Sequence, residues 1–148
     1  MTPNQKAFLD MIASSEGTIG LGNNGYNVLV GGTFFDSYAD HPRIIVHLKN
    51  GLNSSAAGRY QLLARYFDPY KELLSLPDFS PASQDAIALQ QIRECGAIDN
   101  IEAGLIGIAI AKCSHIWASL PGANYGQHEN TVQYLTSIYK NAGGSVAI

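Results

Sequence analysis

Ala13-Ser14-Ser15-Glu16-Gly17-Thr18 sets a single carboxylate where a short amphipathic helix runs out. The helix before it is legible. Thr2 can cap it, Pro3 suits its first position, and Gln5 completes a capping box. Ala7, Phe8, Met11 and Ile12 recur at helical spacing and give one apolar face, and Gly17 is a natural C-terminal stop. A Glu in the last turn faces the negative end of the helix dipole, which disfavours its ionised form and helps to keep a proton on it. Such a carboxyl can act as a general acid near neutral pH. The plain alternative is a solvated Glu of the kind that often precedes a terminal Gly, so Glu16 gains meaning only from what lies downstream.

The chain has 148 residues, enough for one domain with a sizeable core, and no Pro/Ser-rich linker or shift in composition divides it. Hydrophobic residues make up 46% and charged residues 14%, which describes a globular, lightly charged protein. The net charge of −3 is spread without blocks. A nucleic-acid binder held by phosphate contacts would show a basic face, and a membrane-surface protein a polybasic run; neither is present. With no signal-peptide pattern and no apolar run of membrane length, the expectation is synthesis as a soluble cytoplasmic protein that inserts in no membrane and needs another route to any target outside. Cys95 and Cys113 fall in separate helical stretches with no CxxC, and read as buried thiols. His41, His47, His115 and His128 make no HExxH pattern, so no metal and no cofactor is expected.

After Glu16, Thr18 to Gly25 is a glycine- and asparagine-rich loop. Tyr26 to Phe35, with Gly31-Gly32 inside it, reads as a β-hairpin, and Asp36 to Ser55 as an irregular stretch with room for one more short strand. Helix is expected again from Ala56 to Leu63, restarting at Asp68-Pro69. Ser80-Pro81 opens the next helix, whose apolar face is Ala82, Ala86, Leu89, Ile92 and Cys95. Leu105 to Leu120 is apolar nearly all round and belongs in the core, broken near Ser114; Val132, Leu135, Ile138 and Tyr139 mark the last helix. The result is a mostly helical α+β domain with a small early antiparallel sheet, and function is expected in a cleft between two lobes.

A cleft for a neutral polar polymer needs aromatic faces against sugar rings and amides or hydroxyls for ring substituents. Tyr60 and Gln61 in Gly58-Arg59-Tyr60-Gln61, and Tyr125 and Gln127 in Asn124-Tyr125-Gly126-Gln127, have those chemistries, while Gly58 would let backbone approach a ligand closely. Tyr60 and Tyr125 read equally well as core aromatics. Glycoside hydrolysis ordinarily uses two carboxylates across the bond. Asp36 and Asp40 are the nearest candidates, yet both have turn-like neighbours, where Asp more often bonds its own backbone. Asp40 beside His41 invites a dyad, but no GxSxG nucleophile signature accompanies it. A lone acid suits a mechanism in which the substrate supplies the second group.

The chain resembles the family of the phage lambda endolysin (lambda lysozyme), small lytic transglycosylases of the lysozyme-like superfamily. The resemblance runs from Gln5 nearly to Gly144. It passes through Lys6-Ala7-Phe8-Leu9-Asp10-Met11, Ser15-Glu16-Gly17-Thr18, Val30-Gly31-Gly32, Asp40-His41-Pro42-Arg43, Gly58-Arg59-Tyr60-Gln61-Leu62-Leu63, Ser83-Gln84-Asp85-Ala86, Ala88-Leu89-Gln90-Gln91-Ile92, Ile116-Trp117-Ala118-Ser119-Leu120-Pro121-Gly122-Ala123 and Tyr125-Gly126-Gln127. It implies a lysozyme-like fold, with residues 1–148 as a single catalytic domain. By the same resemblance Glu16 is the catalytic acid, Gly58-Arg59-Tyr60-Gln61 takes the place of a groove-lining Gly-x-x-Gln motif, and Tyr125 matches a cleft tyrosine; with Tyr60 and Gln127 added for their chemistry, the expected glycan-binding residues are Gly58, Tyr60, Gln61, Tyr125 and Gln127. The segments about Pro42 to Gly51 and Pro121 to Tyr134 match two mobile lips. The chain departs from the family in a shorter, less charged Thr18–Gly25 loop, in Cys95 where a basic residue is familiar, and in His128 where an aromatic is.

The expected activity is cleavage of the MurNAc-GlcNAc bond of bacterial peptidoglycan with formation of 1,6-anhydro-MurNAc, for host lysis. The protein would work as a monomer without cofactor or metal, made in the host cytoplasm and acting in the periplasm after the membrane is permeabilised. Two other readings stay open: a muramidase that uses water with Asp36 or Asp40, and a non-catalytic peptidoglycan-binding module.

Overall fold

The computed structural model describes residues 1–49, 51–123 and 128–147. Among them the chain runs through α1 (Pro3–Glu16), β1 (Val46–His47), β2 (Asn53–Ser54), α2 (Ala64–Leu73), α3 (Pro81–Glu94), α4 (Ile98–Glu102), α5 (Ile106–Cys113) and α6 (Val132–Asn141). They pack as two compact units, Met1–Gly17 with Ala88–Ile148, and Thr18–Ile87.

In the first unit α1 packs against α6 and α4. Its predicted caps form. Thr2 Oγ1 accepts from the Gln5 N–H at 3.1 Å, the Gln5 side chain accepts from the Thr2 N–H at 3.3 Å, and Gly17 turns left-handed at φ 78°. An N-cap of this kind contributes about 1 kcal/mol. Leu9 and Ala13 are buried along with the four predicted apolar residues, so the helix is enclosed on more than one face. Each large side chain taken out of water there stabilises by about 1.5–3 kcal/mol. The first turn is tied at both sides: Asn4 Nδ2 donates to Ile101 O at 3.0 Å, and Asn4 Oδ1 accepts from the Ser145 N–H at 3.0 Å.

The segment from Leu105 to Leu120 breaks at Ser114 as its pattern suggests. It is not buried all round. Ile106, Ala109, Ile110 and Cys113 face the core, while Ile108 is 49% exposed. A helix of two turns has room for only one buried face here, and α4 and α6 are the elements packed on α5.

The second unit departs further from the reading of its sequence. Tyr26 to Phe35 does turn back on itself, but over a minimal length: an antiparallel bridge joins Val28 to Phe34, flanked by the Leu29 N–H donating to Thr33 O at 2.7 Å and the Phe35 N–H donating to Asn27 O at 2.9 Å. The two-stranded antiparallel sheet lies within the stretch taken as irregular, with Val46 opposite Ser54 and His47 opposite Asn53. The other edge of the same segment is paired as well: the Val30 N–H donates to Ala56 O at 3.0 Å and Val28 O accepts from the Gly58 N–H at 2.8 Å. Backbone groups of an extended segment alternate between its two edges, so residues 27–29 pair with residues 33–35 on one side and residues 28–30 with residues 56–58 on the other.

The same pairing corrects the helix expected from Ala56. Ala57 and Leu62 exchange backbone hydrogen bonds at 3.0 and 2.9 Å, with Gly58-Arg59-Tyr60-Gln61 as the turn between them. Gly58 at φ 83° and Gln61 at φ 55° are incompatible with a helix start, so α2 begins only at Ala64 and then runs through Pro69 without a restart. The core of this unit is Leu29, Phe35, Ala57, Leu62, Phe67, Phe79 and Ile87. Helix α3 turns a different face inward from the predicted one. Ser83, Gln84, Ile87, Ala88, Gln91 and Ile92 are buried and Ala82 is exposed. Apolar spacing missed this because three of the buried residues are polar, and Ser83 and Gln84 are held there by hydrogen bonds to Asp78, Arg59, Phe79 and Tyr26. No helix of the described residues is long and apolar enough to cross a membrane.

Candidate active site

Glu16 is the last residue of α1, and the left-handed Gly17 turns the chain away directly after it. Burial raises its carboxyl from the ordinary 4.5 to about 7, and the helix end it occupies acts in the same direction. A carboxyl raised in this way can hold a proton near neutral pH, as a general acid must. Its neighbour Ser15 is fixed from outside the helix. The Ser15 and Ser119 hydroxyls share a hydrogen bond at 2.7 Å, Asn130 Nδ2 donates to Ser15 Oγ at 3.0 Å, and the Asn130 N–H donates to Ser119 O at 2.9 Å. Ser119 and Asn130 carried no signal in the sequence, since their partner lies more than a hundred residues away.

Gly58, Tyr60 and Gln61 come together in one turn of the second unit, and that turn is built from beneath. The Arg59 N–H donates to Gln84 Oε1 at 2.9 Å, while Gln84 Nε2 donates to Phe79 O at 2.9 Å and Tyr26 O at 3.0 Å. Gly58 serves this packing: a Cβ there would meet the Gln84 side chain and the Phe79 ring. Arg59 is buried between the Tyr26 and Tyr60 rings, 5.3 and 5.6 Å from their centres, and its Nε donates to Asn24 O at 3.0 Å. Tyr60 is 5% exposed and donates its hydroxyl to Asp85 Oδ1 at 2.6 Å, where Tyr26 also donates at 2.9 Å. Burial and the Asp85 charge push both phenols up, so both stay protonated donors. The Thr18 hydroxyl donates to Arg59 O at 2.6 Å, tying the loop that follows Glu16 and Gly17 into the same network. Asp85 was missed because a carboxylate on a helix surface gives no sign of two distant tyrosines.

Gln61 is half-buried, with Nε2 donating to Gly58 O at 2.9 Å. Anchoring that end of the amide holds its oxygen in a fixed direction. Tyr125 and Gln127, and Asn50 in one of the two lip segments, lie outside the described residues.

Asp40 is a turn and ion-pair residue. Its Oδ1 accepts from the backbone N–H of His41 at 2.8 Å, and Arg43 bridges it at 3.0 Å to Asp68 at 2.7 Å. The Arg43 guanidinium holds both carboxyls below the usual range. The suggested Asp40–His41 dyad does not form. The His41 ring is buried among Phe67 and Phe79, its Nδ1 accepts from the Arg43 N–H at 2.9 Å, and its Nε2 donates to Leu62 O at 2.8 Å. Burial keeps that imidazole neutral. Among the described residues no three His, Cys, Asp or Glu side chains gather so as to hold a metal ion.

Comparison with known proteins agrees along the whole length. The Endolysin family profile matches residues 6–146. The endolysin of Escherichia phage lambda is 56% identical over 146 residues, covering 96% of this chain and 92% of that protein. The endolysin of Escherichia phage P2 is 47% identical over 154 residues, covering 95% and 93%. A solved structure of bacteriophage lambda lysozyme complexed with a chitohexasaccharide has a TM-score of 0.97 at 54% identity, covering 99% of this chain and 98% of that one. With a carboxyl raised by burial at the end of α1 and this agreement in sequence and fold, the chain belongs to the endolysin family.

Proposed function

We propose that this chain is a phage endolysin whose single catalytic domain, residues 1–148, degrades bacterial peptidoglycan as a lytic transglycosylase. The observation that carries the reading is Glu16, the last residue of α1, whose carboxyl burial pushes up to about 7. Protonated Glu16 gives its proton to the oxygen between N-acetylmuramic acid and N-acetylglucosamine, the bond from that oxygen to the anomeric carbon breaks, and N-acetylglucosamine leaves with a free hydroxyl. The N-acetyl carbonyl of the muramic residue shields the cationic carbon, in place of a protein nucleophile. The Glu16 carboxylate then takes the proton of the C6 hydroxyl as its oxygen closes the 1,6-anhydro ring. No water is consumed and Glu16 ends as it began.

Engagement of Asp40 with Arg43 and the His41 backbone supports a substrate-assisted path, because it occupies one of the two carboxylates that a hydrolytic route would need. Gln61 offers an anchored amide to a sugar substituent, and Gly58 and Tyr60 shape the turn that presents it; Tyr125 and Gln127 are proposed as further glycan contacts. The chitohexasaccharide bound by lambda lysozyme supports glycan strands as the ligand. The protein is proposed to act as a monomer, made in the host cytoplasm and reaching the periplasm once the inner membrane is permeabilised.

Glu16→Gln tests this reading. Clearing of chloroform-treated Gram-negative cells should fall by about a hundredfold or more, the contribution of a general acid. A variant that folds and still clears at a tenth of the wild-type rate removes Glu16 from the mechanism, and a wild-type protein that binds walls without clearing them would be a binding module.

A further inference from the structure

Cys95 follows directly on α3 and is partly exposed, whereas Cys113, the last residue of α5, is buried. The two thiols are side-chain neighbours. Groups next to them in sequence join the same two points of the chain: Lys112 Nζ donates to Gly96 O at 3.1 Å, and His115 Nε2 stands 3.9 Å from Cys95 Sγ. An accessible thiol beside an imidazole, backed by an enclosed second thiol, is the arrangement of an attacking and a resolving cysteine. From it we infer that Cys95 and Cys113 are a redox pair that closes to an intramolecular disulfide by exchange with a disulfide-bearing oxidant.

In the first step Cys95 loses its proton to His115 or water, and its sulfur attacks one sulfur of the external disulfide, whose S–S bond breaks to release one external thiol. In the second, the Cys113 thiol loses its proton and attacks the Cys95 sulfur, releasing the second external thiol. The cysteine pair gives up two electrons and two protons, and the oxidant takes both. Cys95 is the one an external disulfide can reach, because it is partly exposed and Cys113 is buried. The bond would link the ends of α3 and α5. A reducing cytoplasm keeps the pair open and an oxidising envelope closes it. That timing rests on the proposed passage to the periplasm, but the exchange chemistry does not.

The test exposes the reduced full-length protein to oxidised glutathione and follows intact mass, alkylatable thiols and melting temperature. The wild type should become lighter by two hydrogens, lose both alkylatable thiols, yield a peptide cross-linked between Cys95 and Cys113, and melt at a higher temperature. Cys113→Ser should stop as a mixed disulfide on Cys95, and Cys95→Ser should stay unmodified while folded. Wild-type protein that keeps both thiols, ends as a stable glutathione adduct, or cross-links only between chains overturns the inference. If either variant fails to fold, the wild-type mass and peptide map decide alone. Loss of lytic activity by Glu16→Gln would leave these results unchanged, so this test and that of the proposed function fail separately.

Discussion

Glu16 and His41 pull the stability of this protein in opposite directions as pH changes. Glu16 has a folded-state value near 7 against an ordinary 4.5, so it is protonated in both states below 4.5 and weakens the fold as pH rises through 7. At about 1.4 kcal/mol per unit the cost of ionising it approaches about 3 kcal/mol. His41, held neutral by burial, weakens the fold as pH falls below its ordinary 6.5, because the unfolded chain takes up the proton first. Glu16→Gln keeps His41 and removes only the first effect. Its urea-unfolding free energy should match the wild type at pH 4 and exceed it by up to about 3 kcal/mol at pH 8. A variant less stable than wild type at pH 8 would mean that the Glu16 charge is satisfied in the fold. Glu16 was legible because its signals are local: a helix pattern before it and Gly17 after it. Asp85, Ser119 and Asn130 were not, because what defines them is a partner from a distant part of the chain.

The elements divide along the same line. Helix α1 could be read to its last residue, since its capping box, Pro3 and Gly17 act within one turn of either end. The turn at Gly58 could not. Its apolar flanks fit helix or strand, and the choice was made by Val28, Val30 and Ala56, whose backbone groups pair across the second unit. Two glycines separate the effects at work. Gly17 has φ 78° with nothing within 4 Å of an added Cβ, whereas Gly58 has φ 83° with Gln84 and Phe79 in the way. Gly17→Ala should cost about 1 kcal/mol from left-handed backbone alone. Gly58→Ala should cost about 1–3 kcal/mol more, from overpacking. Equal unfolding midpoints for the two variants would refute the packing role given to Gly58.

For the whole molecule, what decides between transglycosylation and hydrolysis is which carboxylates are left to serve the reaction. Arg43 binds Asp40 and Asp68 together at the surface, so Asp40 serves the turn that carries His41 into the core. Asp40→Asn and Asp36→Asn, where folded, should therefore keep most of the lytic rate. Sequence composition and the long ordered resemblance made the fold class and family legible. The pairing of residues 1–17 with residues 88–148 as one unit lay beyond any local pattern, because it depends on α1 meeting α4 and α6. On the proposed substrate-assisted path, where the substrate and no second carboxylate serves the anomeric carbon, the tethered C6 hydroxyl should win by proximity, an advantage worth several kcal/mol. Mass spectrometry of muropeptides released from purified Gram-negative peptidoglycan reads that outcome directly: substrate-assisted ring closure gives fragments ending in 1,6-anhydro-N-acetylmuramic acid, one water lighter than hydrolysis products, whereas reducing-end fragments as the major species would rule it out.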